Sequence, residues 1–133
     1  MKHQVILMSH GSMAKETLNS AKMILGDALV YPVVSMQADD GIEGTLAKLE
    51  KILQKIPEKQ PIVIIADLLG GTPANVAVLK SNSDPRIKVV TGLNLGMILE
   101  SFFALEDPEI VTRLLDAGAK AVTQPQLEND EEE

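Results

Sequence analysis

The chain has 133 residues, enough for one domain with a single core, and its 45% hydrophobic and 23% charged residues are a soluble globular balance. A net charge of −7 argues against a nucleic-acid backbone as partner, and 2% aromatic content argues against stacking on bases or sugars. Without cysteine there is no disulfide framework and no thiolate metal site, and no apolar stretch approaches the roughly 20 residues that cross a bilayer.

The first residues, Met1-Lys2-His3-Gln4-Val5, open no apolar segment of signal-peptide length, so a cytoplasmic location is expected. Gln4-Val5-Ile6-Leu7-Met8 reads as a buried strand. Ala14, Leu18, Ala21 and Leu25 then fall on one helical face, with Gly26 as its stop. A second strand is predicted over Tyr31–Ser35. Ile42, Leu46, Leu49, Leu53 and Ile56 form the next helical stripe, with Asp40 placed to cap it and Pro57 to close it.

Pro61-Ile62-Val63-Ile64-Ile65-Ala66 is apolar on consecutive residues, the pattern of a central parallel strand covered on both faces. A helix opening at Pro73 follows, with Thr72 at its N-cap, where the missing proline N–H costs nothing. Ile87–Thr91 is a fourth strand. Leu95, Ile98, Leu99 and Phe102 mark one helical face, and Ile110, Val111, Leu114 and Leu115 another. Ala121-Val122-Thr123 is too short to assign by pattern; a late edge strand is one reading. Residues 1–124 are expected to form one domain, and 125–133, ending Glu128-Asn129-Asp130-Glu131-Glu132-Glu133, a solvated acidic tail.

Alternation of strand and helix predicts an α/β fold, a doubly wound, mostly parallel four-stranded sheet with helices on both faces. Chemistry in such sheets collects at the carboxyl ends of the strands. Four segments fall there: Ser9-His10-Gly11-Ser12, Asp39-Asp40-Gly41, Asp67-Leu68-Leu69-Gly70-Gly71-Thr72-Pro73 and Thr91-Gly92-Leu93-Asn94. His10 follows a buried strand and precedes a glycine, which leaves its ring uncrowded. Neutral imidazole is a nucleophile near pH 7. The plainer reading is an ordinary loop histidine. His3 lies ahead of the strand with no flanking glycine, reads as a solvated side chain and is given no role.

Asp67 is expected beside His10 if the first and third strands are neighbours, where it would accept the Nδ1 proton and leave the Nε2 lone pair free. Otherwise it bonds loop amides. Gly70-Gly71-Thr72-Pro73 lets the main chain approach a ligand closely and places amides and a hydroxyl at a helix N-terminus, a phosphate cradle or simply a strand-to-helix turn. It is not a Walker loop. Asp39, Asp40 and Asp67 as a Mg²⁺ site is a rival, but the end of the first strand holds Ser9-His10 rather than acids, and capping accounts better for Asp40.

Taken together, the strand running into His10-Gly11, the strand ending at Asp67, Gly70-Gly71-Thr72-Pro73 with Asn75, and Val90-Thr91-Gly92-Leu93-Asn94-Leu95-Gly96-Met97 resemble the enzyme IIA component of the mannose family of the bacterial sugar phosphotransferase system. The last stretch is similar to that family's a-G-x-N-x-x-M. The resemblance implies that His10 accepts phosphate on Nε2 from phospho-HPr and donates it to a histidine of a IIB component. It also implies that Asp67 orients the ring and that Thr72, with Gly71 and Gly11, contacts the phosphate. It calls for no metal or cofactor.

The same resemblance implies a fifth, antiparallel edge strand near the C-terminus, over Ala121–Thr123, exchanged across a homodimer. The IIB partner is expected as a separate polypeptide, and membrane contact only indirectly, through the IIC/IID transporter. Apolar residues around His10 are expected to dock both partners, with Met8, Met13, Met36, Leu68, Leu69 and Leu93 as candidates. Some family members carry aromatic residues in place of Leu68-Leu69 and Met36, which leaves the cognate IIB open. Two alternatives stand beside this reading: the phosphotransferase subunit of a dihydroxyacetone kinase, and an anion-sensing module without turnover.

Overall fold

In a computed structural model, residues 1–126 are described; residues 127–133, most of the expected acidic tail, lie outside them. Four strands and five helices alternate: β1 Gln4–His10, α1 Met13–Leu25, β2 Val33–Met36, α2 Gly41–Leu53, β3 Ile62–Ala66, α3 Thr72–Ser83, β4 Ile87–Thr91, α4 Leu95–Phe103 and α5 Ile110–Lys120. The sheet is parallel throughout, in the order β2-β1-β3-β4. The doubly wound α/β architecture expected from the sequence is the one observed.

Alternation along each strand builds two cores, one per face. Val5 and Leu7 of β1, Val63 and Ile65 of β3 and Val90 of β4 pack against α1, α4 and α5. Ile6 and Met8, Ile62, Ile64 and Ala66, and Ile87 pack on the other face against α2 and α3. Every residue of β3 is buried, as its unbroken apolar run requires. Each such Ile or Val contributes about 1.5–3 kcal/mol on burial.

Boundaries depart from expectation where backbone chemistry intervenes. Tyr31 lies outside β2, buried with its hydroxyl bonded to Ser101 at 2.7 Å, and Pro32 has no N–H to give the ladder. Burial pushes the Tyr31 phenol up, and the Ser101 bond offsets part of that rise. Asp40 holds the N-cap position of α2, but its carboxylate does not bond the helix amides. It accepts from the Gln37 N–H at 2.7 Å and from Lys48 Nζ at 2.6 Å instead.

The late edge strand is absent among the described residues. α5 continues to Lys120, and residues 121–126 pair with no strand. The helix runs on because small residues let it press on α4: a Cβ on Gly118 would lie 2.6 Å from Met97 Cε, and Gly118 O accepts from Asn94 Nδ2 at 3.1 Å.

Candidate functional site

Strand order turns back between β1 and β3: α1 leads outward from β1 to β2, and α2 crosses back to β3. The crevice beyond their carboxyl ends is where an open α/β sheet builds a site. His10 is the last residue of β1, and Asp67 directly follows β3. Five paired residues, Gln4↔Ile62 through Met8↔Ala66, set the register, and Asp67 N–H continues it onto Met8 O at 3.1 Å.

That register brings two residues 57 positions apart into contact. Asp67 Oδ2 lies 2.8 Å from His10 Nδ1 and accepts the His10 backbone N–H at 3.0 Å. A carboxylate only accepts, so Nδ1 carries a proton, and in the neutral ring the lone pair is then on Nε2. The Asp67 side chain is 7% exposed and the His10 ring 47%, a buried anchor beneath an accessible ring. Asp67 Oδ1 is buried and finds no hydrogen-bond partner among the described residues. The carboxylate's stabilising donors are thus both on His10, on one oxygen.

The turn after His10 is shaped from below by Ser9, to which the sequence reading gave no role. Its buried hydroxyl donates to Gly11 O at 3.2 Å and accepts the Ala14 N–H at 2.8 Å, capping α1 where Ser12 makes no side-chain cap. A serine near the end of an apolar strand, four residues before the helix begins, is the trace this leaves in sequence. Gly11 takes φ +54°, and its N–H donates to Met36 O at 2.8 Å. An oxyanion contact from that amide would compete with this bond.

Gly71 presses on the imidazole from the β3 side. A Cβ there would sit 2.8 Å from His10 Cε1 and 3.5 Å from Nε2, so glycine is needed for the ring to hold its place. Gly71, not Thr72, is the N-cap of α3, because Gly71 O accepts the Asn75 N–H at 2.9 Å. Thr72 is therefore the first helical residue and Pro73 the second. The Gly71 N–H donates to Leu68 O at 3.1 Å. By helix geometry, Thr72 and Ala74 carry first-turn amides with no carbonyl four residues back inside the helix.

The apolar candidates divide. Leu69, at 81%, Leu68 and Met13 are exposed, and Met36, paired with His10 in the sheet, is half-buried. Met8 and Leu93 are buried in the two cores and cannot line a docking surface. Leu93 is drawn in because its N–H donates to Ala66 O at 3.1 Å, folding the loop back on the sheet. Asn94 caps α4, its side chain accepting the Met97 N–H at 2.9 Å.

Asp39 is exposed, and Lys48 beside Asp40 holds that carboxyl below the usual range, with the Gln37 amide assisting. Among the described residues no cluster of acids and histidines has the grouping of a metal site.

A family model described as "PTS system fructose IIA component" matches residues 4–116. The chain belongs to the mannose-type EIIA family of the phosphotransferase system. It is 31% identical over 96 residues to a "PTS system fructose-specific EIIA component" of Bacillus subtilis strain 168, covering 72% of this chain and 66% of that protein. It is 24% identical over 122 residues to a "PTS system mannose-specific EIIAB component" of Escherichia coli strain K12, covering 89% of this chain but 38% of that longer protein. Among solved structures, a mannose/sorbose-specific IIA subunit from Enterococcus faecalis superposes with a TM-score of 0.86 at 44% identity, covering 95% of this chain and 96% of that one. As a mannose-type EIIA the chain is a component of a phosphotransferase system. No described helix is long and apolar enough to cross a membrane.

Proposed function

We propose that this EIIA is a cytoplasmic phosphocarrier, with residues 1–124 as its domain, that accepts a phosphoryl group from phospho-HPr on His10 and passes it to a histidine of a IIB component. The observation that carries this reading is the 2.8 Å contact between Asp67 Oδ2 and His10 Nδ1, which leaves Nε2 as the free nucleophile of an accessible ring.

The Nε2 lone pair attacks phosphorus in line as the N–P bond of the donor phosphohistidine breaks, and the donor ring keeps that electron pair. Nδ1 retains its proton throughout, and Asp67 stabilises the positive ring as the new N–P bond forms. The first-turn amides of α3 and the Thr72 hydroxyl receive the phosphoryl oxygens at the positive end of the helix. Gly71 and Gly11 keep the approach to the ring open. Transfer to IIB is the same step in the opposite sense.

Met13, Met36, Leu68 and Leu69 supply the apolar contact that excludes water when either partner docks. The carrier works as a homodimer and meets the membrane only through the IIC/IID transporter that takes up the sugar.

Incubation with labelled phosphoenolpyruvate, enzyme I and HPr tests the reading. Label that is acid-labile, alkali-stable and absent from His10→Ala is expected. An unlabelled wild type would leave an anion-sensing module, and an alkali-labile label that survives His10→Ala would move the chemistry to Asp67.

A further inference from the structure

The sheet ends on one side at β2, and the register shows which of its backbone groups are left over. Leu7 N–H donates to Pro32 O at 3.1 Å and Gly11 N–H to Met36 O at 2.8 Å. In a parallel ladder this turns the peptide groups of Pro32, Val34 and Met36 toward β1, and those of Val33 and Ser35 out of the sheet. The Ser35 carbonyl confirms the direction: it accepts from Lys48 Nζ at 3.0 Å and from Gln37 Nε2 at 3.4 Å, both off the sheet. The Val33 N–H and C=O and the Ser35 N–H face the same way.

One groove runs along this edge and a second opens at the start of the strand. One, of about 550 Å³, runs between α1 and the edge, with Lys15 and Lys22 from α1 and Lys48 from α2 along it. The other, of about 300 Å³, is lined by Lys51 of α2 and Lys55 in the turn just after it, with Gln4 and the apolar Pro32, Ile52 and Ile56. Lys15 and Lys22 are two turns apart on α1, Lys48 and Lys51 one turn apart on α2, and Lys55 follows in the turn that ends that helix. Lys48 pairs with Asp40, while the other four make no ion pair among the described residues. A chain of net charge −7 thus gathers five cations around one open strand edge.

Lysines beside an edge strand commonly guard it against pairing with its own kind, because two identical basic edges repel. The same charges admit a strand of opposite sign. We propose that the β2 edge is a docking surface for an extended acidic segment of a protein partner, which adds as a further strand outside β2. The Val33 N–H and C=O and the Ser35 N–H bond its main chain, and the lysines of α1, of α2 and of the turn after α2 pair with its acidic side chains from either flank. The far end of β2 is Met36, which pairs with His10, so the added strand lies alongside the phosphoryl site without using it.

The probe is a labelled peptide of about eight residues, a usual strand length, alternating glutamate and valine, with an alternating lysine–valine peptide as control. Fluorescence anisotropy is expected to show binding of the acidic peptide alone, weakening as salt rises past about 0.15 M. Reversing the four unpaired lysines (Lys15→Glu, Lys22→Glu, Lys51→Glu and Lys55→Glu together) should weaken it at least about tenfold. The corresponding Lys→Gln set, gentler on the fold, should give an intermediate loss with an unchanged far-ultraviolet circular dichroism spectrum. Hydrogen exchange supplies the strand-specific readout: the Val33 and Ser35 amides should slow when the acidic peptide is bound. No binding to the wild type would mean that the lysines only guard the edge. Binding that survives charge reversal, or that leaves both amides exchanging as before, would equally overturn the proposal.

Discussion

The two histidines of this chain stand at opposite ends of β1 and are held in nearly the same way. His3 directs its backbone N–H and Nδ1 at the Leu105 carbonyl, at 2.7 and 2.9 Å; His10 directs the same pair at Asp67 Oδ2, at 3.0 and 2.8 Å. Both oxygens only accept, so both rings carry a proton on Nδ1, and in the neutral form of either the lone pair is on Nε2. Orientation and tautomer therefore do not distinguish them. The difference lies in the oxygen and in the company. Leu105 offers a neutral dipole, while Asp67 offers a full negative charge that follows the ring as it becomes cationic. His10 also has Gly71 and the N-terminus of α3 against it. His3 is moreover no freely solvated side chain, as its sequence context suggested, but part of the clamp between the start of β1 and the loop that follows α4.

This contrast can be broken from either side. Removing the nucleophile has the largest effect: His10→Ala should cut phosphoryl uptake from phospho-HPr by about 10³-fold or more, to background label, since no other group replaces the attacking nitrogen. Asp67→Asn comes next. It keeps a hydrogen-bonding oxygen but makes it neutral, turning the site of His10 into a copy of that of His3, and should slow transfer about 10–100-fold in rapid-quench measurements. Gly71→Ala puts a methyl 2.8 Å from Cε1, so the ring must shift. A loss of about tenfold in transfer rate with little change in Tm is expected, as for a misplaced reactant rather than a weakened fold. Smallest is His3→Ala, which should leave phosphoryl uptake unchanged while costing about 0.5–1.5 kcal/mol in urea unfolding for the lost side-chain bond.

Much of the frame was legible because it follows from local periodicity. The unbroken apolar run 61–66 announced a strand covered on both faces, and Ile87–Thr91 appears with the limits expected of it. What escaped depends on where a peptide group points. Thr72 was expected at the cap because threonine is a good one and Pro73 a good first residue, yet the Gly71 carbonyl had already accepted the Asn75 N–H. Leu93 looks like loop from its position in the chain, and only the loop's bond to Ala66 O draws it in; Met8, offered as a docking residue, stays buried as the strand it belongs to was read to be. The pairing of His10 with Asp67 was conditional on strand order, which a sequence pattern does not contain. The seat of Gly71 on the imidazole was invisible for a similar reason: an absent side chain announces no neighbour.

The β1–β3 register has a consequence for how this protein could be regulated. Both strands are interior, buried, and joined by five consecutive pairs, so their amides belong to the slowest class of hydrogen exchange, released only when the whole domain opens. His10 and Asp67, the nucleophile and orienting acid proposed above, each sit at the tip of one of these strands. Fraying of α5 or of either edge strand leaves their separation unchanged, and the loss of it coincides with global unfolding. A signal that silences His10 while the protein stays folded must therefore act by covering the ring, not by melting what holds it.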